Sequence, residues 1–133
     1  MINKMLTIPS IPSRIAEVES FLQKAVKKTR INPSRYPDML ISLTEAVNNA
    51  IIHGNKEDSN KVVKIQMIHN RRHFKIIVTD EGRGFNLENV PDPTAPENIE
   101  CCGGRGVYIM SRLADRISFQ DNGSTVEMHF QVK

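Results

Sequence analysis

The sequence predicts an α+β fold in which helices cover one face of a mixed, largely antiparallel sheet, a two-layer α/β sandwich. Apolar residues recur at helical spacing in the first half of the chain, whereas later segments alternate apolar and polar residues. The length of 133 residues, 39% hydrophobic and 25% charged, is typical of one soluble globular domain, which we expect to span residues 1–133.

The first half of the chain predicts one strand and two helices. A short strand ends at Pro9, and a helix follows from near Ser13. This helix ends before Asn32, because the proline that follows disfavours helical backbone in its predecessor. A second helix runs from about Ser34 through His53 and stops at Gly54, which we expect to be a left-handed cap.

The second half predicts four strands and one helix. Alternating residues around 63–67 and 74–78 give two strands, and residues 81–106, rich in Gly, Pro, Asn and acidic residues, predict little regular structure. A short helix begins at about Val107. The chain finishes in a hairpin, whose turn is predicted at the two residues Asn122 and Gly123.

Composition excludes several classes of protein. The formal charge of +3 is modest, and the basic residues Lys27, Lys28 and Arg30 complement the end of a helix, so we expect no direct nucleic-acid binding. Cys101 and Cys102 are neighbours and cannot form a disulfide framework; we expect them to be incidental, with a redox or metal role as the alternative. No apolar run approaches the ~20 residues that span a bilayer, so we expect a cytoplasmic protein without membrane contact.

The second helix carries a polar line that suits a ligand pocket. Glu45, Asn49 and His53 follow one another at i, i+4 spacing, and Ile41 and Ile52 flank them. A carboxylate can accept the proton of an attacking hydroxyl, and an amide oxygen is a suitable ligand for Mg²⁺. The alternative interpretation is an amphipathic helix with three exposed polar residues.

Two glycine motifs follow. Asp80 comes directly after a strand and precedes Gly82 and Gly84; its carboxylate can bind an amino group of a flat ligand, which the glycines allow to approach. Residues 103–107, Gly-Gly-Arg-Gly-Val, lead into the third helix, where backbone N–H groups and the helix dipole favour an anion. The alternatives are a strand-ending turn and a flexible helix start. The second motif matches neither a P-loop nor a dinucleotide-binding fingerprint.

In this order the motifs resemble those of the GHKL ATPase superfamily, which includes histidine kinases, type II topoisomerases and heat-shock chaperones. Residues 45–54 are similar to its N box, 80–84 to its first glycine box and 103–106 to its second. The stretches EAVNNAIIHGN, DEGRGF, PDPTAPEN and GGRGVYIM most resemble the bacterial anti-sigma-factor serine kinases. The resemblance covers nearly the whole chain and implies the GHKL (Bergerat) form of the α/β sandwich.

The resemblance implies a role for each motif residue. Glu45 would be the general base, Asn49 the Mg²⁺ ligand, and Asp80 the residue that holds the adenine amino group. Gly82 and Gly84 would line the base and ribose. The other implied nucleotide-binding residues are His53, Gly104, Arg105, Gly106, Val107 and Thr125. His53 has a structural role at the helix end as its alternative, and Thr125 matches the family's hydroxyl after the glycine of the last hairpin.

The family also implies cofactors and partners. An ATP-dependent serine/threonine kinase of this kind uses Mg²⁺, phosphorylates a serine of a STAS-domain anti-anti-sigma protein, binds a sigma factor and forms a homodimer. The lid, residues 86–102, departs from the pattern because it contains no Lys or Arg, although some relatives offer a basic residue there. Arg105 is the candidate substitute.

That departure leaves a second hypothesis open, a nucleotide-dependent binding module that sequesters a regulator and transfers phosphate weakly. A histidine-kinase catalytic domain is a third hypothesis, which would require a helical dimerisation region with a phospho-acceptor histidine before the N box. The residues before Glu45 predict one strand and one helix instead. A topoisomerase or chaperone ATPase would require a longer lid and a following domain.

Overall fold

A computed structural model describes residues 2–29, 31–70, 72–82 and 104–131. They form a five-stranded sheet with the spatial order β1-β2-β3-β5-β4, and every neighbouring pair of strands is antiparallel. The strands are β1 (Ile2–Pro9), β2 (Val62–His69), β3 (His73–Thr79), β4 (Arg116–Gln120) and β5 (Thr125–Gln131). The helices are α1 (Ile15–Lys27), α2 (Tyr36–Asn49) and α3 (Gly104–Leu113). The predicted α+β fold is confirmed.

The core lies between one face of the sheet and the helices. Alternate residues of β2, β3 and β5 are buried, and Phe74 of β3 pairs directly with Phe130 of β5, both fully buried. Leu22 of α1 and Leu43 and Val47 of α2 are fully buried against this face. Among the residues that the structure describes, no helix combines the length and the apolar character that crossing a bilayer requires.

The predicted helix boundaries shift by a few residues. The turns Pro12–Arg14 and Pro33–Arg35 are 3₁₀ turns with proline in the first position, so α1 and α2 begin two residues later than predicted. The third helix begins at Gly104, three residues before Val107, so residues 104–107 of the second glycine motif form its first turn. A helix can begin with glycine where packing, rather than propensity, holds it.

The end of α2 differs from the prediction in kind. A π turn, Ala50–Gly54, continues directly from Asn49 and is closed by the Asn55 N–H donating to the Ala50 carbonyl at 2.8 Å. Gly54 is not the left-handed residue; Lys56 and Glu57 are, each with φ of 55°. The predicted glycine cap is therefore wrong, because the helix widens by one residue before the chain turns.

The last hairpin also has a longer connection than the predicted two residues. A 3₁₀ turn at Asp121–Gly123 joins β4 to β5, with φ of 53° at Asp121 and 90° at Gly123. The Ser124 N–H donates to the Asp121 carbonyl, and the Ser124 carbonyl accepts from the Asp80 N–H at 2.9 Å. The connection therefore also supports the chain that leaves β3.

Arg35 joins the start of α2 to the far edge of the sheet. Its guanidinium donates to Asp38 at 2.9 Å and to Asp115 at 2.7 Å, and it lies 5.6 Å from the centre of the Phe130 ring. Asp115 also accepts from the Gln131 N–H at 2.6 Å. Because the Arg35 and Asp38 side chains are only 22% and 32% exposed, the bond between them is better shielded than a surface ion pair, whereas Asp115 is more exposed.

Replacing Arg35 with alanine should lower the free energy of unfolding by about 1.5–3 kcal/mol, the usual range for hydrogen bonds to charged groups. Urea denaturation of the two proteins measures the change. The matched control is Arg14→Ala, which breaks the exposed Arg14–Glu17 pair and should change stability by less than about 1 kcal/mol. Equal losses of unfolding free energy in the two variants would show that the hydrogen bonds of Arg35 contribute no more than an exposed ion pair.

Candidate functional site

The polar line of α2 lies at the edge of the core. Glu45 and Asn49 are half-buried, whereas His53, in the π turn, is exposed. Ile41 and Ile52 beside them are 44% and 41% exposed. No residue that the structure describes gives the Glu45 carboxylate or the Asn49 amide a hydrogen bond or an ion pair. Within the described part of the chain, both half-buried polar groups therefore lack a polar partner.

Asp80 directly follows β3, which ends at Thr79. Its backbone N–H is held by Ser124, and its Oδ1 accepts from the Gly82 N–H at 2.7 Å, which closes a tight turn. Burial raises the pKa of the Asp80 carboxyl above its ordinary value, and the bond from Gly82 and the charge of Lys61 oppose this only in part. Its Oδ2 accepts no hydrogen bond from the described part of the chain. Such a carboxylate gains from a ligand that donates a hydrogen bond.

Two glycines bring the end of α2 against this turn. A Cβ on Gly54 would overlap the Asp80 carboxyl, and a Cβ on Gly82 would overlap the backbone carbonyl of Gly54. Only residues without a side chain allow this approach. Sequence reasoning assigned Gly82 to the site but gave Gly54 only a capping role, since its contact partner lies far away in the chain.

Sequence reasoning also missed Asn55, which is fully buried next to Gly54. Its Oδ1 accepts from the Glu81 N–H at 2.7 Å. An asparagine after a glycine is typical of a turn, so the sequence carries no signal that this one is buried. The turn at Asp80–Gly82 is therefore held by two consecutive residues of the segment that follows α2.

Thr125 lies beside the same turn. It opens β5, is 7% exposed and pairs with Thr79, the residue before Asp80. Its hydroxyl oxygen is 3.3 Å from that of Thr79 and 3.4 Å from Asp121 Oδ2. The structure thus brings Thr125 and Asp80 to the same end of the sheet, next to the end of α2.

Residues 104–107 of the second glycine motif are described by their backbone, and Gly103 lies outside the described residues. Gly104, Arg105, Gly106 and Val107 form the first turn of α3, and α3 packs against α2. The free N–H groups of a helix start favour an anion there. Gly84, the predicted lid at 86–102, and Cys101 and Cys102 lie outside the described residues.

Comparison with known proteins places this geometry in a family. Residues 8–130 match the model of the histidine kinase-like ATPase domain. The chain is 28% identical over 132 residues to the serine-protein kinase RsbW of Bacillus subtilis (strain 168), covering 92% of this chain and 81% of that protein. It is 30% identical over 104 residues to the serine-protein kinase RsbW of Staphylococcus aureus (strain JH9), covering 72% and 65% respectively.

A solved structure has the same fold. The crystal structure of the RsbU and RsbW domains of Rv1364c from Mycobacterium tuberculosis superposes with a TM-score of 0.65 at 18% identity. The match covers 99% of this chain but only 33% of that one. This chain therefore belongs to the family of histidine kinase-like ATPase domains, as the order of its motifs predicts, and the relatives it matches in sequence are serine-protein kinases.

Proposed function

We propose that residues 1–133 form one catalytic domain, an ATP-dependent serine/threonine kinase and anti-sigma factor that phosphorylates a serine of a STAS-domain anti-anti-sigma protein. The observation that carries the proposal is the contact of Gly54 with Asp80 and Gly82. This contact sets the helix that bears Glu45 and Asn49 beside the partly buried carboxylate of Asp80, whose Oδ2 accepts no hydrogen bond from the described residues. The serine-protein kinases among the relatives support the same activity.

In this proposal the Asp80 carboxylate recognises adenine by accepting a hydrogen bond from its exocyclic N6 amino group. Guanine has a carbonyl at that position, so two acceptors would face each other and the base would be rejected. Gly82 and Gly84 let the backbone approach the base and ribose. Thr125, next to the turn, is the proposed hydroxyl partner of the base.

Glu45 and Asn49 would act on the phosphate end of the nucleotide. They lie on successive turns of one helix face, about 5–6 Å apart at Cβ. Glu45 would take the proton of the seryl hydroxyl as its oxygen attacks the γ-phosphorus and ADP leaves. Asn49, whose amide has no hydrogen bond from the described residues, suits the role of a Mg²⁺ ligand. Bound Mg²⁺ neutralises charge on the phosphate oxygens.

The phosphates would lie at the start of α3, where helix geometry leaves backbone N–H groups without intrahelical partners. Gly104, Arg105, Gly106 and Val107 are the proposed contacts, with Arg105 as the cation that the segment 86–102 lacks. His53, exposed at the end of the polar line, is a further proposed nucleotide contact. Because α3 packs on α2, the phosphates and Glu45 would be on neighbouring elements.

Such a kinase would be part of a partner switch in the cytoplasm, where ATP and the transcription machinery are found. Phosphorylation of the STAS-domain protein would free the kinase, as a homodimer, to bind a sigma factor. A second candidate function is a nucleotide-dependent binding module with weak catalysis. The absence of Lys and Arg from residues 86–102 favours it, because a basic residue there would stabilise the transferred phosphoryl group.

A transfer assay with labelled ATP·Mg²⁺ and STAS-domain proteins from the same genome tests the kinase proposal. The wild-type chain should label one of them on serine, and Glu45→Gln should lower the rate of transfer by about 10²–10⁴-fold because the base is lost. ATP binding should be retained, since the isosteric amide leaves the helix intact. Binding without transfer to any candidate would favour the binding module, and unchanged transfer in the variant would exclude Glu45 as the base.

Substituting Asp80 with asparagine should stabilise the apo protein while weakening ATP binding. The pKa of Asp80 is raised in the folded state, so its ionised form disfavours folding. This unfavourable contribution to the free energy of folding grows as pH rises from the ordinary pKa of 3.8 to the raised pKa of the folded state. It remains at its full size at higher pH. Asp80→Asn should therefore raise Tm at pH 7 but not at a pH where Asp80 is protonated in both states.

The same variant should bind ATP at least about tenfold more weakly and lose its preference for ATP over GTP, because a charged acceptor is replaced by a neutral one. Isothermal titration with both nucleotides measures this. The affinity of the wild-type chain for ATP should fall as the solution is acidified through the raised pKa of Asp80. Unchanged nucleotide selectivity in Asp80→Asn would show that the base binds elsewhere.

Gly82→Ala should displace the turn, since its Cβ would overlap the carbonyl of Gly54, a backbone atom that cannot rotate away. We expect ATP affinity to fall about tenfold or more while the sheet remains folded. Ser59→Ala, at an exposed position of the loop before β2, is the control and should bind ATP normally. Equal affinity of the two variants for ATP would contradict the close approach.

A further inference from the structure

Asn55 is a buried polar residue that has no role in the proposed nucleotide binding or phosphoryl transfer. The side chain is fully buried, and both donors and the acceptor of its amide are engaged. Nδ2 donates to Ser10 Oγ at 2.8 Å and to the Val62 carbonyl at 3.0 Å, and Oδ1 accepts from the Glu81 N–H at 2.7 Å. A buried amide that is fully satisfied has a defined orientation.

These bonds fix which way the amide faces. Rotating it by half a turn would direct the NH₂ group at the Glu81 N–H, donor against donor, and the oxygen at the Val62 carbonyl, acceptor against acceptor. The Ser10 hydroxyl cannot relieve this conflict, because it donates to the Lys61 carbonyl at 2.8 Å. The acceptor of Asn55 is therefore held towards Glu81.

Glu81 is held a second time, through its own side chain. Its carboxylate accepts from the Val62 N–H at 2.5 Å, so the backbone and the side chain of Glu81 are both anchored, one to Asn55 and one to the start of β2. The peptide group between Asp80 and Glu81 carries the N–H that Asn55 accepts from. Fixing this peptide fixes the backbone from which the Asp80 carboxylate projects.

Asn55 and its neighbour act on the two sides of the same turn. Gly54 contacts the Asp80 carboxyl and Gly82, whereas Asn55 bonds Glu81 between them. The remaining bonds of Asn55 lead away from the site, to Ser10 after β1 and to Val62 in β2. Asn55 thus connects the turn to β2 and to the residue that follows β1.

We infer that Asn55 is a positioning residue for base recognition: it orients the Asp80 carboxylate towards the exocyclic N6 amino group of adenine without touching the nucleotide. This inference rests on the proposed binding of ATP at Asp80. Its effect is on binding and base selectivity rather than on phosphoryl transfer, because Glu45 and Asn49 lie on α2, which packs against α1, α3 and the sheet independently of Asn55.

The comparison of Asn55→Ala with Ser10→Ala tests the inference. Both substitutions remove the bond between Asn55 and Ser10, but only Asn55→Ala removes the bond to Glu81. Asn55→Ala should raise KM for ATP about tenfold, equivalent to 1.4 kcal/mol, reduce the preference for ATP over GTP by a similar factor, and leave kcat within about threefold. Ser10→Ala should lower Tm yet leave KM and the nucleotide preference within about twofold of wild type.

Hydrogen exchange of the wild-type protein provides a second test that needs no variant. The Glu81 amide should be protected from exchange without nucleotide, although the Glu81 side chain is exposed, because its N–H is bonded to a buried oxygen. Rapid exchange of this amide would overturn the inference, and so would Asn55→Ala and Ser10→Ala variants with the same KM. If instead wild type and Asp80→Asn both fail to bind ATP, the proposed function falls and the inference with it.

Discussion

The constraint on which the rest of this structure depends is the contact between the end of α2 and the turn that follows β3. Gly54 lies so close to Asp80 and Gly82 that no side chain fits between them, and Asn55 adds a buried hydrogen bond to Glu81. The contact joins residues about 26 positions apart. It sets the helix carrying Glu45 and Asn49 beside the carboxylate of Asp80, so the proposed adenine recognition and phosphate chemistry would share one boundary between the helical layer and the sheet.

The irregular backbone after α2 follows from this constraint. The π turn at Ala50–Gly54 adds a residue before the chain leaves the helix, and two non-glycine residues, Lys56 and Glu57, then take positive φ. Such conformations cost on the order of 1 kcal/mol or more each. They are held because the Glu57 N–H donates to the Ile51 carbonyl at 2.7 Å and because Asn55 is anchored in the core. Irregular helix ends of this kind are frequent at functional sites.

Much of the fold could be predicted from the sequence, because its determinants are local. Alternation in β2, β3 and β5 defines the buried face, and the spacing from Leu43 to Val47 defines the buried side of α2. The features that were missed depend on distant contacts. The cap at Gly54 was wrong because its environment is set by Asp80, and Asn55 was overlooked because its partners come from three separate segments. The predicted two-residue hairpin turn is too short, because the observed connection also includes Ser124, whose carbonyl accepts a hydrogen bond from the Asp80 N–H. The assignments of Glu45, Asn49 and Asp80 remain predictions.

Burial of the Asp80 carboxyl favours a ligand that donates a hydrogen bond to it at the proposed site. Among the described residues, the desolvated carboxylate is compensated by the bond from Gly82 and the charge of Lys61, but its pKa is still raised and its ionised form disfavours folding. A ligand that donates to this carboxylate would offset the deficit, and because it binds only the folded state, the stabilisation would grow with the logarithm of its free concentration once that exceeds Kd. The rigid support from Gly54 and Asn55 matters for the same reason. A turn free to move would let Asp80 reach water and lose the advantage of a fixed acceptor, so the proposed selectivity for adenine would require both the burial of the carboxylate and the restraint of the backbone that bears it.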